Sequence, residues 1–178
     1  MIAGLLLDGA STDEWKTAII QDNLLQTRSE ATAKRLASLI RKRLEKMSPE
    51  LWSLIKDGTA AIATHACLAA AVKHSALLAD FLDLTLRDQY KVFAKSLSPH
   101  LWEDFIADCN SRDPAVANWS ETTVRKLRTV VFHILEQAGY IASVKSPVLQ
   151  QIHIELPVVH YLESNEEHHV LRCLRMTA

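Results

Sequence analysis

Arg35, Lys42 and Lys46 are spaced so that, on a helix turning 100° per residue, their side chains fall within about 40° of one another. Such a row covers about 16 Å of helix, a length matched to two or three successive phosphates of a nucleic-acid strand. It lies within SEATAKRLASLIRKRLEKM, residues 29–47, which together with Arg28 carries seven positive charges and two negative ones in a chain of net charge −1. Lys34 and Arg41 flank the other side of the apolar face, where Glu30 and Glu45 offer partners four residues away. Two readings stay open for this charge: a surface for phosphates, or a solvated face that neutralises itself.

A second candidate runs through residues 121–138, ETTVRKLRTVVFHILEQA. Val124, Leu127, Val131, Ile134, Leu135 and Ala138 form the stripe expected to be buried. Thr122, Arg125, Lys126, Thr129 and His133 are left on the outward arc, with Arg128 at its edge. Arginine and lysine reach phosphates or guanine edges, and threonine hydroxyls bond phosphates. No glutamine or asparagine faces the front of this helix, so base-specific readout is not evident. An amphipathic helix used for protein contact is the competing reading. Between the two helices, residues 47–120 hold six basic and nine acidic side chains, so the positive character is local.

Other chemistries find little footing. The chain has no GxSxG, P-loop, GxGxxG or HExxH motif. Cys67 and His65 lie two apart and so point to different sides of a helix. His168 and His169 beside Glu166 and Glu167 suit a solvated face better than a metal site, because adjacent histidines also diverge. Cys67, Cys109 and Cys173 form neither a CxxC nor a Cys/His cluster, so no disulfide framework or zinc site is expected. No catalytic residue, metal or cofactor is expected.

The elements that must position these residues are mostly helices. Four glycines and five prolines interrupt 178 residues, 48% of them apolar, and the apolar spacing is largely three-and-four. A first helix is expected from Thr12, with Asp13 and Glu14 at its positive end, and Ser29 is placed to cap the basic helix. Ser48-Pro49 and Ser98-Pro99 repeat one helix-start signature, each followed by a leucine and a tryptophan. Little else matches between the two segments, so they are read as a shared way of beginning a helix and not as a duplication. Residues 59–75 form an alanine-rich helix suited to the centre of a bundle. Turn-forming residues cluster at 109–120, and a boundary is drawn there, giving subdomains 1–110 and 111–178. Ser120 caps the second basic helix and Gly139 ends it. Residues 140–143 and 148–156 then look like two strands, the second alternating through Ile152, Ile154 and Leu156, with Lys145 at the tip of their turn. A helix followed by a hairpin is the tail of a winged-helix arrangement, with residues 121–138 as its recognition helix. No run reaches the roughly 20 apolar residues that span a bilayer, and the first residues lack a signal peptide's pattern, so a cytoplasmic protein off the membrane is expected.

The run DNLLQTRSEATAKRLASLIRKRLEKMSPELWSLIKDG, the alanine-rich helix after it and LLADFLD resemble the BrxA family of bacterial BREX phage-defence systems. The likeness extends from Gly4-Leu5-Leu6-Leu7 to the C-terminal segment and is most specific from Asn23 through Ser29, Thr32, Arg35 and Arg43-Leu44. It implies an all-α bundle similar to the antitermination factor NusB, here with the small C-terminal winged-helix-like β-hairpin. It also implies a non-enzymatic role, association with DNA, and co-operation with the methyltransferase, phosphatase-like and ATPase components of the same defence island. The hydropathy pattern is at odds with the inner-membrane placement sometimes given to this family. Taken together, the expectation is a double-stranded-DNA-binding accessory subunit, with Arg28, Lys34, Arg35, Arg41, Lys42, Lys46, Thr122, Arg125, Lys126, Arg128 and Lys145 as the contacting residues. A scaffold docking on an acidic partner subunit and an RNA binder are the alternatives.

Overall fold

Ser11, Ser29, Thr59 and Ser120 each stand one residue before a helix in the computed structural model, which describes residues 1–176. Each side chain accepts a hydrogen bond from the backbone N–H three residues on, satisfying one of the helix's orphan donors. The elements are α1 (Ile2–Leu7), α2 (Thr12–Lys16), α3 (Glu30–Leu44), α4 (Pro49–Asp57), α5 (Ala60–His74), α6 (Ala76–Asp80), α7 (Arg87–Lys91), α8 (Leu101–Arg112), α9 (Pro114–Ala117), α10 (Glu121–Gln137), α11 (Leu156–Ser164) and α12 (His168–Leu174). A wider π-helical turn, Thr17–Gln21, extends α2, and another, Phe81–Leu86, joins α6 to α7. No strand forms among the described residues.

The chain folds as two compact units. One holds Met1–Ser75 and Ile154–Leu171, the other Ala76–His153 and the chain from Arg172 on. This partition follows packing, whereas the division at residue 110 follows turn chemistry.

In the first unit α5 is the central element and packs against α3, α4 and α11. Its Ala66, Ala69, Ala70 and Ala71 are buried, and such small side chains let neighbouring backbones come close. His65, buried on the same helix, accepts the Glu155 N–H at 3.1 Å. Ser48 precedes α4 but does not cap it with its side chain. Its N–H and hydroxyl both turn to the Tyr161 hydroxyl, each at 3.0 Å, which ties the start of α4 to α11.

The second unit is built on an aromatic cluster. Phe81 meets Trp102, Phe105 and Phe132 with ring centroids 5.1–6.4 Å apart, and the Trp102 indole N–H is satisfied by the Val124 carbonyl at 3.1 Å. Asp83 pairs with Arg87 at 2.8 Å and Arg172 at 2.6 Å, anchoring the returning C-terminal segment.

Three expectations are revised. A helix, α1, precedes Thr12 and ends where Gly9 adopts φ +63; six residues containing a glycine carried too little periodicity to announce it. Ser98-Pro99 does not start α8: Ser98 accepts the His100 N–H at 3.3 Å and the helix begins at Leu101. Most consequentially, the C-terminal β-hairpin is absent. The segment at 147–150 is shared between two neighbours, Gln150 donating to Tyr140 and Leu149 to Lys95, and each contact yields only an isolated bridge. Pro147 has no N–H with which to extend a ladder. The alternation through Ile152, Ile154 and Leu156 meets no second strand, and Leu156, 69% exposed, is already the first residue of α11. Without a hairpin there is no wing, so the fold is an all-α bundle alone.

Candidate nucleic-acid interface

On α3 the apolar stripe and the charges separate as the helical period requires. Ala33, Ala37, Leu44 and the following Met47 are buried, while Arg28, Lys34, Arg35, Arg41, Lys42 and Lys46 are exposed. The cations differ in how they are held. Lys34 lies 2.6 Å from Glu30, and this ammonium, by hydrogen bond and by charge, keeps the Glu30 carboxyl below its usual range. Arg41 lies 2.6 Å from Glu45 and stacks 4.8 Å over the Trp15 ring. Arg28, Arg35, Lys42 and Lys46 have no carboxylate within ion-pair distance among the described residues. Along the helix face the exposed, uncompensated charge is therefore the row Arg35, Lys42 and Lys46, with the self-neutralising pairs confined to the opposite flank.

Two residues outside the candidate set belong to this surface. Arg43 sits between the cationic row and the buried stripe, its Nε closed to solvent without a partner. Burial lowers the pKa of its guanidinium. His74, at the end of α5, has an equally unpartnered Nδ1. Its imidazole is held in the neutral form below the ordinary range, first by burial and then by Arg43, Lys46 and Lys42. Arg43 was readable from the helical wheel, but His74 arrives from another helix and no spacing in the sequence signals it.

On α10 Thr122, Arg125 and Lys126 are exposed along one arc, and Arg125 makes only a loose 3.9 Å approach to Glu121. Arg128 is set differently, with its guanidinium 4.6 Å over the Phe132 ring and its Nε closed to solvent without a partner. Phe132 is itself fully buried, although the apolar stripe expected for this helix omitted it. Thr129 returns its hydroxyl to the Arg125 carbonyl, and His133 faces Glu136. Lys145 is exposed on the loop after Gly139. The Val144 N–H meets the Glu136 carboxylate, so that loop lies at the C-terminal end of α10, about 15 Å along the helix from Lys126.

The three cysteines are not activated as thiolates. Burial raises the pKa of the Cys67 and Cys109 thiols and pushes that of Cys173 up to about 11. No three metal-binding side chains converge among the described residues, and no single helix there is long and apolar enough to cross a membrane.

The chain is similar to known proteins over nearly its whole length. The BrxA family model matches residues 1–166. A BREX protein BrxA of Paramagnetospirillum magneticum is 45% identical over 177 residues, covering 99% of this chain and 89% of that protein. Another, from Escherichia coli O9:H4, is 29% identical over 154 residues, 86% of this chain and 72% of that protein. A crystal structure of an uncharacterized protein from Magnetospirillum magneticum superposes with a TM-score of 0.88 at 42% identity, over 99% of this chain and 90% of the other.

Proposed function

Since the chain belongs to the BrxA family, we propose that it is a DNA-binding accessory component of a BREX phage-defence system, holding duplex DNA by its phosphates. The observation that carries this reading is the division of exposed charge on and just after α3: Lys34 and Arg41, with carboxylates beside them, stand on one flank, and Arg35, Lys42 and Lys46, without them, form one straight row. A row of exposed, unpaired cations is costly to place on a helix by self-repulsion and releases counterions when it meets a polyanion. The exposed Thr122, Arg125 and Lys126 of α10 support a second backbone contact. In this reading the protein acts by binding and not by catalysis. It works in the cytoplasm beside the other BREX components, where the DNA it binds is located.

The test is a gel shift on random-sequence duplex DNA, with single-stranded RNA of equal length as competitor. The protein should retain the duplex. Preferential loss of the duplex to RNA would move the reading to an RNA binder. No shift with either, together with tight binding to an acidic BREX subunit, would make α3 a protein-docking surface.

A further inference from the structure

Phe93 combines two features that are unfavourable for a phenylalanine. Its side chain is 90% exposed and the adjoining Val92 is 70% exposed, in a loop where neither covers core. Its backbone also sits at φ +53, a left-handed conformation that disfavours a bulky side chain. The geometry is a helix C-terminus in which the Phe93 N–H donates to the Tyr90 carbonyl and the Ala94 N–H to the Gln89 carbonyl, both at 3.0 Å. This is the position glycine ordinarily takes after a helix. The other non-glycine residues at positive φ, Asn23, Gln26 and Glu166, are all polar. A strained backbone displaying a large apolar side chain to water points to a ligand contact.

The surroundings define the ligand. Lys91 and Lys95 stand two residues to either side, both exposed, Lys95 without an ion-pair partner among the described residues and Lys91 2.9 Å from Asp88. Phe93 borders a cleft of about 560 Å³ lined also by Tyr90, Leu149, Gln150, Ile152 and His153, with no acidic side chain among its lining residues. An aromatic ring between two cations, beside a cleft offering further apolar surface and amide groups, suits a nucleobase whose flanking phosphates the lysines can reach.

Resting on the nucleic-acid reading above, we propose that Phe93 stacks on an unpaired or extruded base, so that the protein favours DNA whose stacking is locally interrupted over a perfect duplex. Two backbone hydrogen bonds hold the main chain that carries the ring, so the loop itself has little freedom to lose on binding.

The test uses Phe93→Gly, because glycine suits φ +53 where alanine would remain strained. The variant should melt at a higher temperature than the wild type. It should nevertheless bind an oligonucleotide carrying one looped-out 2-aminopurine about ten-fold more weakly, the effect of losing one base–aromatic stack, and should no longer quench that base. Phe93→Trp should restore both affinity and quenching, and all three proteins should bind a fully paired duplex alike. Equal binding of the looped-out oligonucleotide by wild type and Phe93→Gly would overturn the stacking role while leaving phosphate binding standing. A wild type that binds no oligonucleotide at all would overturn both. Phe93→Gly that keeps every oligonucleotide but loses a partner subunit would reassign the ring to a protein interface.

Discussion

Lys34 and Arg35 are adjacent in sequence yet a hundred degrees apart on α3, and their surroundings differ accordingly. Lys34 is taken up by Glu30, whereas Arg35 belongs to the unpaired row. Replacing Arg35 and Lys42 with alanine should weaken duplex binding at low salt while shifting stability by under about 0.5 kcal/mol, as exposed substitutions do. Lys34→Ala should barely change affinity, since an exposed pair of this kind contributes at most about 1 kcal/mol to the fold and holds little free charge. Titrations of the two variants, with thermal melts beside them, check both statements. The row was legible because seven- and four-residue spacings are local facts. His74 was not, since only tertiary packing brings it to Arg43, and its effect belongs to pH. An unfolded histidine takes up its proton near 6.5, whereas in the fold burial and the cations of α3 hold His74 neutral to lower pH. Between those two values the unfolded chain carries more protons, so this contribution to stability is complete above pH 6.5 and is lost as pH falls through and below it. His74→Gln should remove that part of the dependence, which melting curves of both proteins between neutral and mildly acidic pH would show. An unchanged profile would mean that His74 is free to protonate in the fold.

At the scale of elements, two helix ends share one geometry and differ in the residue that fills it. After α10 the Gly139 N–H donates to the Glu136 carbonyl at 3.1 Å and the Tyr140 N–H to the Leu135 carbonyl at 2.9 Å, with Gly139 at φ +83. After α7 the same pair of bonds forms around Phe93. Gly139→Val should therefore destabilise the protein by more than about 1 kcal/mol and Phe93→Gly should stabilise it by about as much, opposite signs from one conformational rule. Ser120→Ala should cost about 1 kcal/mol through the lost cap on Thr123. Denaturant midpoints of the three variants are the check. Gly139 was legible because glycine announces a left-handed residue; phenylalanine announces nothing, so Phe93 was passed over. The hairpin failed for a related reason. Alternating Ile152, Ile154 and Leu156 satisfies the local pattern of a strand, but a strand exists only through its partner, and 147–150 divides its bonds between Lys95–Leu97 and Tyr140–Ala142. The π-helical turns at Thr17–Gln21 and Phe81–Leu86 were likewise hidden, because one extra residue in a turn leaves the apolar spacing nearly intact.

For the whole molecule, a near-neutral chain gains affinity for a polyanion only through where its charges stand. The helical class and the α5 core were readable from composition and period, since burial of small and apolar faces dominates both. The pairing of distant segments, such as Ser48 with Tyr161 or Asp83 with Arg172, depends on geometry that no local window contains. On the proposed reading, function at this scale is a count of phosphates neutralised, and salt would read that count directly. Each phosphate contact to duplex DNA contributes about 0.9 to the slope of log K against log salt. The deciding measurement is that slope for the wild type and for the triple variant Arg35→Ala, Lys42→Ala, Lys46→Ala on one random-sequence duplex. A row that tracks the backbone should lose about 2.7 from its slope, three contacts at that value, with the melting temperature essentially unchanged. An identical slope in the two proteins, or a wild type whose affinity does not depend on salt, would contradict phosphate binding by α3.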